Sequence, residues 1–107
     1  MKKIIFLMPV YNDWKSIIKL LGEIDTIIST ISNFKFECII VNDFSSIKKP
    51  DFPKPKNLNQ LKILNMKKNR GHARCNAAGL KYIENNEIYD YVIVMDSDGE
   101  DRPIEIK

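Results

Sequence analysis

Tyr91-Val92-Ile93-Val94-Met95-Asp96-Ser97-Asp98-Gly99-Glu100-Asp101-Arg102-Pro103 decides how this chain is read. Its apolar opening, residues 91–95, predicts a short strand buried on both faces, as in a parallel sheet. The run then breaks at once into Asp96, Asp98, Glu100 and Asp101. Carboxylates gathered at one strand end repel one another, and desolvating them is costlier still. A divalent cation removes that cost, because hard cations such as Mg²⁺ take oxygen ligands and share them with phosphate. Gly99 permits a sharp turn, and Pro103 suits the first position of a following helix. These residues point to a metal–phosphate corner at the carboxyl end of a strand. The simpler reading is a solvated turn, since Asp, Ser and Gly are turn formers. The rest of the chain has to supply the context.

Working back towards the amino terminus, His72 to Glu84 reads as a helix with Ala73, Ala77, Leu80 and Ile83 inward, small enough to lie close to a sheet. Residues 61–66 form a weaker strand, joined to that helix by a loop over Lys67 to Gly71. The Pro- and Lys-rich piece from Lys48 to Asn57 cannot pair inside a sheet and is a loop. Before it, residues 34–41 predict a strand that stops at Asn42-Asp43-Phe44-Ser45-Ser46. Residues 3–8 predict another buried strand, ending in the loop Pro9-Val10-Tyr11-Asn12-Asp13, where Asn12 or Asp13 can cap a helix. From Trp14 to Ile31, apolar residues recur at Trp14, Ile17, Ile18, Leu21, Ile24, Ile28 and Ile31, one helical stripe. Gly22 weakens that helix without ending it.

The succession strand, helix, strand, strand, helix, strand predicts an α/β fold, a mostly parallel sheet with helices on both faces. Ligands of such sheets bind beyond the carboxyl ends of strands, where the strand order reverses. The loops at Pro9–Asp13, Asn42–Ser46 and Asp96–Asp101 all follow strands, so all three should open on one edge.

Composition bounds the rest. The chain has 107 residues, 44% hydrophobic and 29% charged, which fits one globular domain spanning 1–107. No apolar run is long enough to cross a bilayer, and Pro9 to Asp13 is no leader-peptide cleavage site. Cys38 and Cys75 match no metal or redox spacing and read as buried or inert thiols of a cytoplasmic protein. The net charge of +3 is mild. Basic runs at Lys48–Lys56 and Lys67–Arg70 are solvated loops or contacts for phosphates or an anionic membrane surface. Nucleic acid is not an expected partner, because no aromatic residues alternate with the lysines to stack on bases.

Four segments together resemble the nucleotide-binding half of inverting family-2 glycosyltransferases, which have the Rossmann-like GT-A fold. Met8-Pro9-Val10-Tyr11-Asn12-Asp13 resembles the family's Pro-Val-Tyr-Asn-Glu. Val41-Asn42-Asp43-Phe44-Ser45 resembles Val-Asp-Asp-Gly-Ser. Asn69-Arg70-Gly71 through Asn76-Ala77-Ala78-Gly79-Leu80 resembles Asn-x-Gly…Ala-x-Asn-x-Gly-Leu, and Asp96-Ser97-Asp98 resembles Asp-x-Asp. Met95 to Pro103 is most similar to polyprenyl-phosphate sugar synthases of the dolichol-phosphate mannose type.

The resemblance implies transfer of a sugar from a nucleotide-diphosphate donor to an acceptor, a lipid phosphate or a glycan. It implies Mg²⁺ or Mn²⁺ at Asp98 and Asp96, with Asp98 the principal ligand. Pro9, Tyr11 and Asp43 would line the nucleoside pocket, with Asp43 on the base, and Asp96 would face the ribose or the metal. Arg70 and the amides near Gly71 would assist the phosphates. It further implies an acceptor site and catalytic base beyond Lys107, and work in the cytoplasm or at the cytoplasmic face of a membrane. Two departures stand out: Asn42 replaces the first aspartate of the pair, and Phe44 replaces a glycine, so a changed loop path is expected there.

Two other readings compete. Strand followed by Asp96-Ser97-Asp98-Gly99 resembles haloacid-dehalogenase-type phosphatases, with Asp96 as nucleophile and Asp98 as acid/base. That family carries the motif on its first strand, whereas a whole α/β unit precedes it here. The other is a nucleotide-binding remnant without turnover. His72 reads as a helix-start residue rather than a ligand, and Trp14 as core.

Overall fold

The computed structural model describes residues 1–96. The chain runs β1 (Lys2–Val10), α1 (Trp14–Ile28), β2 (Phe34–Asn42), β3 (Gln60–Asn65), α2 (His72–Asn86) and β4 (Tyr91–Val94). These strands form a four-stranded sheet in the order β3-β2-β1-β4, parallel throughout. β1 and β2 lie inside it and carry the long apolar runs. Alternate residues of an extended strand face opposite ways. Accordingly Phe6, Met8, Val10, Phe36, Cys38 and Ile40 pack with α1, while Ile5, Leu7, Ile39 and Val41 pack with α2. The helices therefore cover both faces, the α/β Rossmann-like arrangement the strand–helix succession predicts.

Four details differ from the sequence expectation, each for a local reason. β4 is not buried on both faces: it pairs with β1 alone among the described residues, and Tyr91 and Val94 are exposed. β1 runs on through Pro9 and Val10, because β2 continues alongside to Asn42 and keeps the register. In α1 the buried stripe is Trp14, Ile17, Leu20, Leu21, Ile24 and Ile28, so Leu20 takes the place expected of Ile18. The helix stops at Ile28, where the hydroxyls of Ser29 and Thr30 donate back to the carbonyls of Thr26 and Ile27. Ile31 packs on the core from the turn beyond.

The fourth difference is in α2. Its buried residues are Cys75, Gly79 and Ile83, and Ala73, Ala77 and Leu80 are exposed. A small residue does bring the helix onto the sheet, but it is Gly79. A Cβ there would lie 2.5 Å from Leu7 Cδ1 and 3.1 Å from Val41 Cγ2.

The connection from β2 to β3 returns without a helix. Its Pro- and Lys-rich segment lies on the α1 face, where Phe52 and Leu58 join the core and the Asn57 amide donates to the Asp25 carboxylate at 2.8 Å. Among the described residues no helix is long and apolar enough to cross a membrane.

Cys38 and Cys75 are free and buried on opposite faces of the sheet. Burial pushes the Cys38 thiol well up; Cys75 is pushed up to about 12, first by burial and then by the Asp43 carboxylate beside it. Groups raised in the fold stabilise it fully below their unfolded pKa, and that contribution is lost as pH rises through the folded value. Stability should therefore fall from about pH 8.5 upwards, where free thiols ionise. Ellman's reagent at pH 8 is expected to leave both thiols unreacted in the folded chain and to titrate both in guanidinium.

Candidate functional site

At the carboxyl edge of the sheet the loops after β1 and β2 are tied into one piece. Asn12, with φ 63°, is the hub. Its N–H donates to Ser45 Oγ at 2.9 Å, and its side-chain oxygen accepts the Ile47 N–H at 2.9 Å. Its amide also shares hydrogen bonds with the Ser46 hydroxyl, and the Trp14 indole N–H donates to the Ile47 carbonyl at 3.2 Å. Trp14 is otherwise core, as its place at the helix start suggests.

Asn42 shows why an amide can stand where a carboxylate is usual. Its Nδ2 donates to Asn65 Oδ1 at 3.0 Å while its Oδ1 accepts the Ser45 N–H at 3.1 Å. A carboxylate could do only the second. Phe44, in glycine's place, has φ 58° and is 58% exposed. It thus adopts the left-handed backbone that glycine favours, a strain of about 1–2 kcal/mol for a side chain of its kind.

Asp43 is the centre of the arrangement. It is 1% exposed, yet carries a carboxylate. Its Oδ1 accepts the Arg70 N–H at 2.7 Å and its Oδ2 the Gly71 N–H at 2.9 Å. The Cys75 thiol donates to it as well, and Asn69 Nδ2 donates to its main-chain oxygen at 3.3 Å. Main-chain N–H donors aimed at both oxygens allow the charge to remain buried. Gly71 caps α2 with φ 87° and ψ 160°, a conformation open essentially to glycine alone. The carboxylate of Asp43 thus fixes the turn that starts α2.

From that turn the chain reaches the end of β4. His72, the first residue of α2, places Nδ1 3.5 Å from Asp96 Oδ1, and the Met95 N–H donates to the Leu7 carbonyl at 2.8 Å. The edge between β1 and β4 is where strand order reverses, with β2 and β3 built on one side of β1 and β4 on the other. Asp43, Gly71, His72 and Asp96 consequently form one chain of contacts across that reversal.

The sequence-derived residues fall into place unevenly. Asp43, Gly71 and Asp96 come together. Pro9 is buried in β1 beside Val41, and Tyr11 is 45% exposed at the rim. The Arg70 main chain joins the Asp43 turn, while its side chain lines a hollow with Met66, Arg74 and Ala77. Asp98, the turn at Gly99 and the helix expected from Pro103 lie outside the described residues. His72 is a helix-start residue, as expected, but it also faces Asp96; only the strand order reveals that, and no sequence motif states it. The Asn12–Ser45–Ser46 network was likewise invisible, because it joins loops far apart in sequence.

Among the described residues no three His, Cys, Asp or Glu side chains converge on one point. Asp96 is the described member of the acidic stretch, and a carboxylate oxygen at a strand end is the donor type Mg²⁺ and Mn²⁺ prefer. The charges towards the opposite edge are of another kind. Lys3 pairs with Glu37 at 3.2 Å and Lys62 with Glu87 at 2.6 Å, which raises the Lys62 pKa through that hydrogen bond.

Among known proteins, the family model described as glycosyl transferase family 2 matches residues 5–107. No curated protein matches the chain.

Proposed function

This chain belongs to glycosyl transferase family 2, and from that premise we propose that it binds a nucleotide-diphosphate sugar at the carboxyl edge of its sheet and yields the sugar, with inversion, to a polyprenyl-phosphate acceptor. The observation that supports this most is the buried Asp43 carboxylate gripping the Arg70 and Gly71 amides. That grip draws the β2 loop, the start of α2 and, through His72, Asp96 into one site at the strand-order reversal.

In this reading Tyr11 lies against the nucleoside and Asp43 shapes the pocket floor rather than turning an oxygen outward. The free ends of the α2 amides favour anionic groups nearby. Asp96 and Asp98 would hold Mg²⁺ or Mn²⁺, whose charge would stabilise the diphosphate as it leaves. The bond from the sugar's anomeric carbon to the diphosphate breaks as one to the acceptor oxygen forms on the opposite face. A phosphate acceptor is largely ionised at neutral pH, so its oxygen attacks without giving up a proton, and no described residue is assigned as a base. The proposal gives residues 1–107 the donor-binding half of the reaction. A lipid acceptor would set that reaction at the cytoplasmic face of a membrane, with the basic loop at Lys48–Lys56 towards the anionic surface.

Calorimetric titration with UDP and GDP tests it. Binding of one of them is expected in Mn²⁺ or Mg²⁺ and is expected to disappear in EDTA and in Asp98→Ala. Affinity unchanged by EDTA and by that substitution would remove the metal from the account.

A further inference from the structure

On the α2 side of the sheet, at the end of β3, two hollows of about 300 Å³ and 360 Å³ share Met66 and Arg70 as walls. Arg74 and Ala77 line one; Asn65, Lys67 and Lys68 line the other. Lys67, Lys68, Arg70 and Arg74 thus surround one groove, and among the described residues no Asp or Glu lines it. None of these four side chains forms an ion pair or hydrogen bond in the described structure. That contrasts with Lys3 and Lys62, which are paired. Arg74 stands in the first turn of α2, where the helix dipole repels a cation and no acidic residue offsets it. Cations crowded around a concavity in this way destabilise the chain unless an anion enters.

We infer that this groove is a binding site for a ligand carrying two or more linked phosphates, taken up without a metal ion. The hollows are the size of small-ligand sites. Two guanidinium groups offer the planar forks that match phosphate oxygens, and two lysines add point charges. The β3 wall of the groove lies three inter-strand spacings, about 14 Å, from the end of β4 that carries Asp96, while its wall at the start of α2, Arg70 and Arg74, flanks His72, which faces Asp96. Met66 and Ala77 leave part of the wall apolar, so a ligand with a small apolar portion beside its phosphates is accommodated.

The probe is inorganic pyrophosphate, titrated into the chain in EDTA at low ionic strength. Binding is expected, weakening steeply with added salt. It is expected to weaken about tenfold or more in Arg74→Glu and in Lys68→Glu, because a close cation becomes a repelling anion. Both residues are exposed, so the variants should fold, and the metal-dependent affinity of Lys68→Glu for UDP or GDP should stay within about threefold. A second arm uses phosphatidylcholine vesicles with and without phosphatidylinositol bisphosphate. Sedimentation with the phosphorylated vesicles alone identifies a lipid headgroup as the source; no sedimentation, with pyrophosphate still bound, identifies a free phosphate ligand. The inference is overturned if pyrophosphate does not bind at low salt, or binds equally well in both charge-reversal variants. Loss of metal-dependent nucleotide binding with pyrophosphate binding intact would sink only the donor reading.

Discussion

Asp43→Ala is expected to lower the stability of the chain by about 3 kcal/mol and to abolish nucleotide binding. The carboxylate accepts the Arg70 and Gly71 amides at 2.7 and 2.9 Å. A hydrogen bond to a charged group contributes roughly 1.5–3 kcal/mol, and the lower end applies because the exposed turn lets water reach the freed amides. Without the carboxylate the glycine cap is left with the Asn69 bond to the main-chain oxygen of residue 43 and the Cys75 N–H on its own carbonyl, so the start of α2 and His72 loosen relative to Asp96. Asp43→Asn keeps one acceptor and should lose about half as much stability. Urea unfolding of the three proteins reads the series. A change below about 0.5 kcal/mol in the alanine variant would mean the turn is held by something else.

The same substitution should act with opposite signs in the two helices. Gly22 is exposed in α1 with nothing within 4 Å of an added Cβ, so Gly22→Ala should stabilise the chain by about 0.8–1 kcal/mol through helix propensity alone. At Gly79 the added carbon would meet Leu7 Cδ1 at 2.5 Å and Val41 Cγ2 at 3.1 Å. Both neighbours are fully buried, so neither side chain has room to retreat. Overpacking of this kind costs roughly 1–3 kcal/mol, against which the propensity gain offsets about 1. Gly79→Ala should therefore destabilise by about 1 kcal/mol and Gly79→Val by about 3, the valine bringing two further carbons and a stiff χ1. Thermal unfolding of the set checks the sign reversal. Gly79→Ala matching Gly22→Ala would show that α2 does not rest on the sheet through this residue.

The α/β order was legible because β1 and β2 carry unbroken apolar runs, and only a strand covered on both faces tolerates such runs. The same rule misplaced β4: Tyr91 to Val94 is as apolar as an inner strand, but among the described residues it has one neighbour, and its outer residues are uncovered. Burial faces of helices were harder to read. In α2 the alanines look like the close-packing residues, yet Gly79 allows a nearer approach than any alanine, and that contact turned Cys75 and Ile83 inward with it. The loop resemblance singles out Asp43 and Gly71 but not their mutual grip, since hydrogen bonds between loops far apart in sequence leave no local pattern. Asn42 is the instructive departure. Its amide both donates and accepts, so the family's aspartate could take its place only with the Asn65 amide turned to present its Nδ2.

The central claim is that cation and nucleotide meet where β1, β2 and β4 end. Adding Mn²⁺ with UDP or GDP to the ¹⁵N-labelled chain locates that meeting point directly, because the paramagnetic ion broadens the amide signals nearest to it. The account predicts that Gly71, His72, Met95 and Asp96 fade first while Lys3, Glu37 and Glu87 stay sharp. Signals fading first around Glu37 and Glu87, the acidic pair towards the opposite edge, would contradict it.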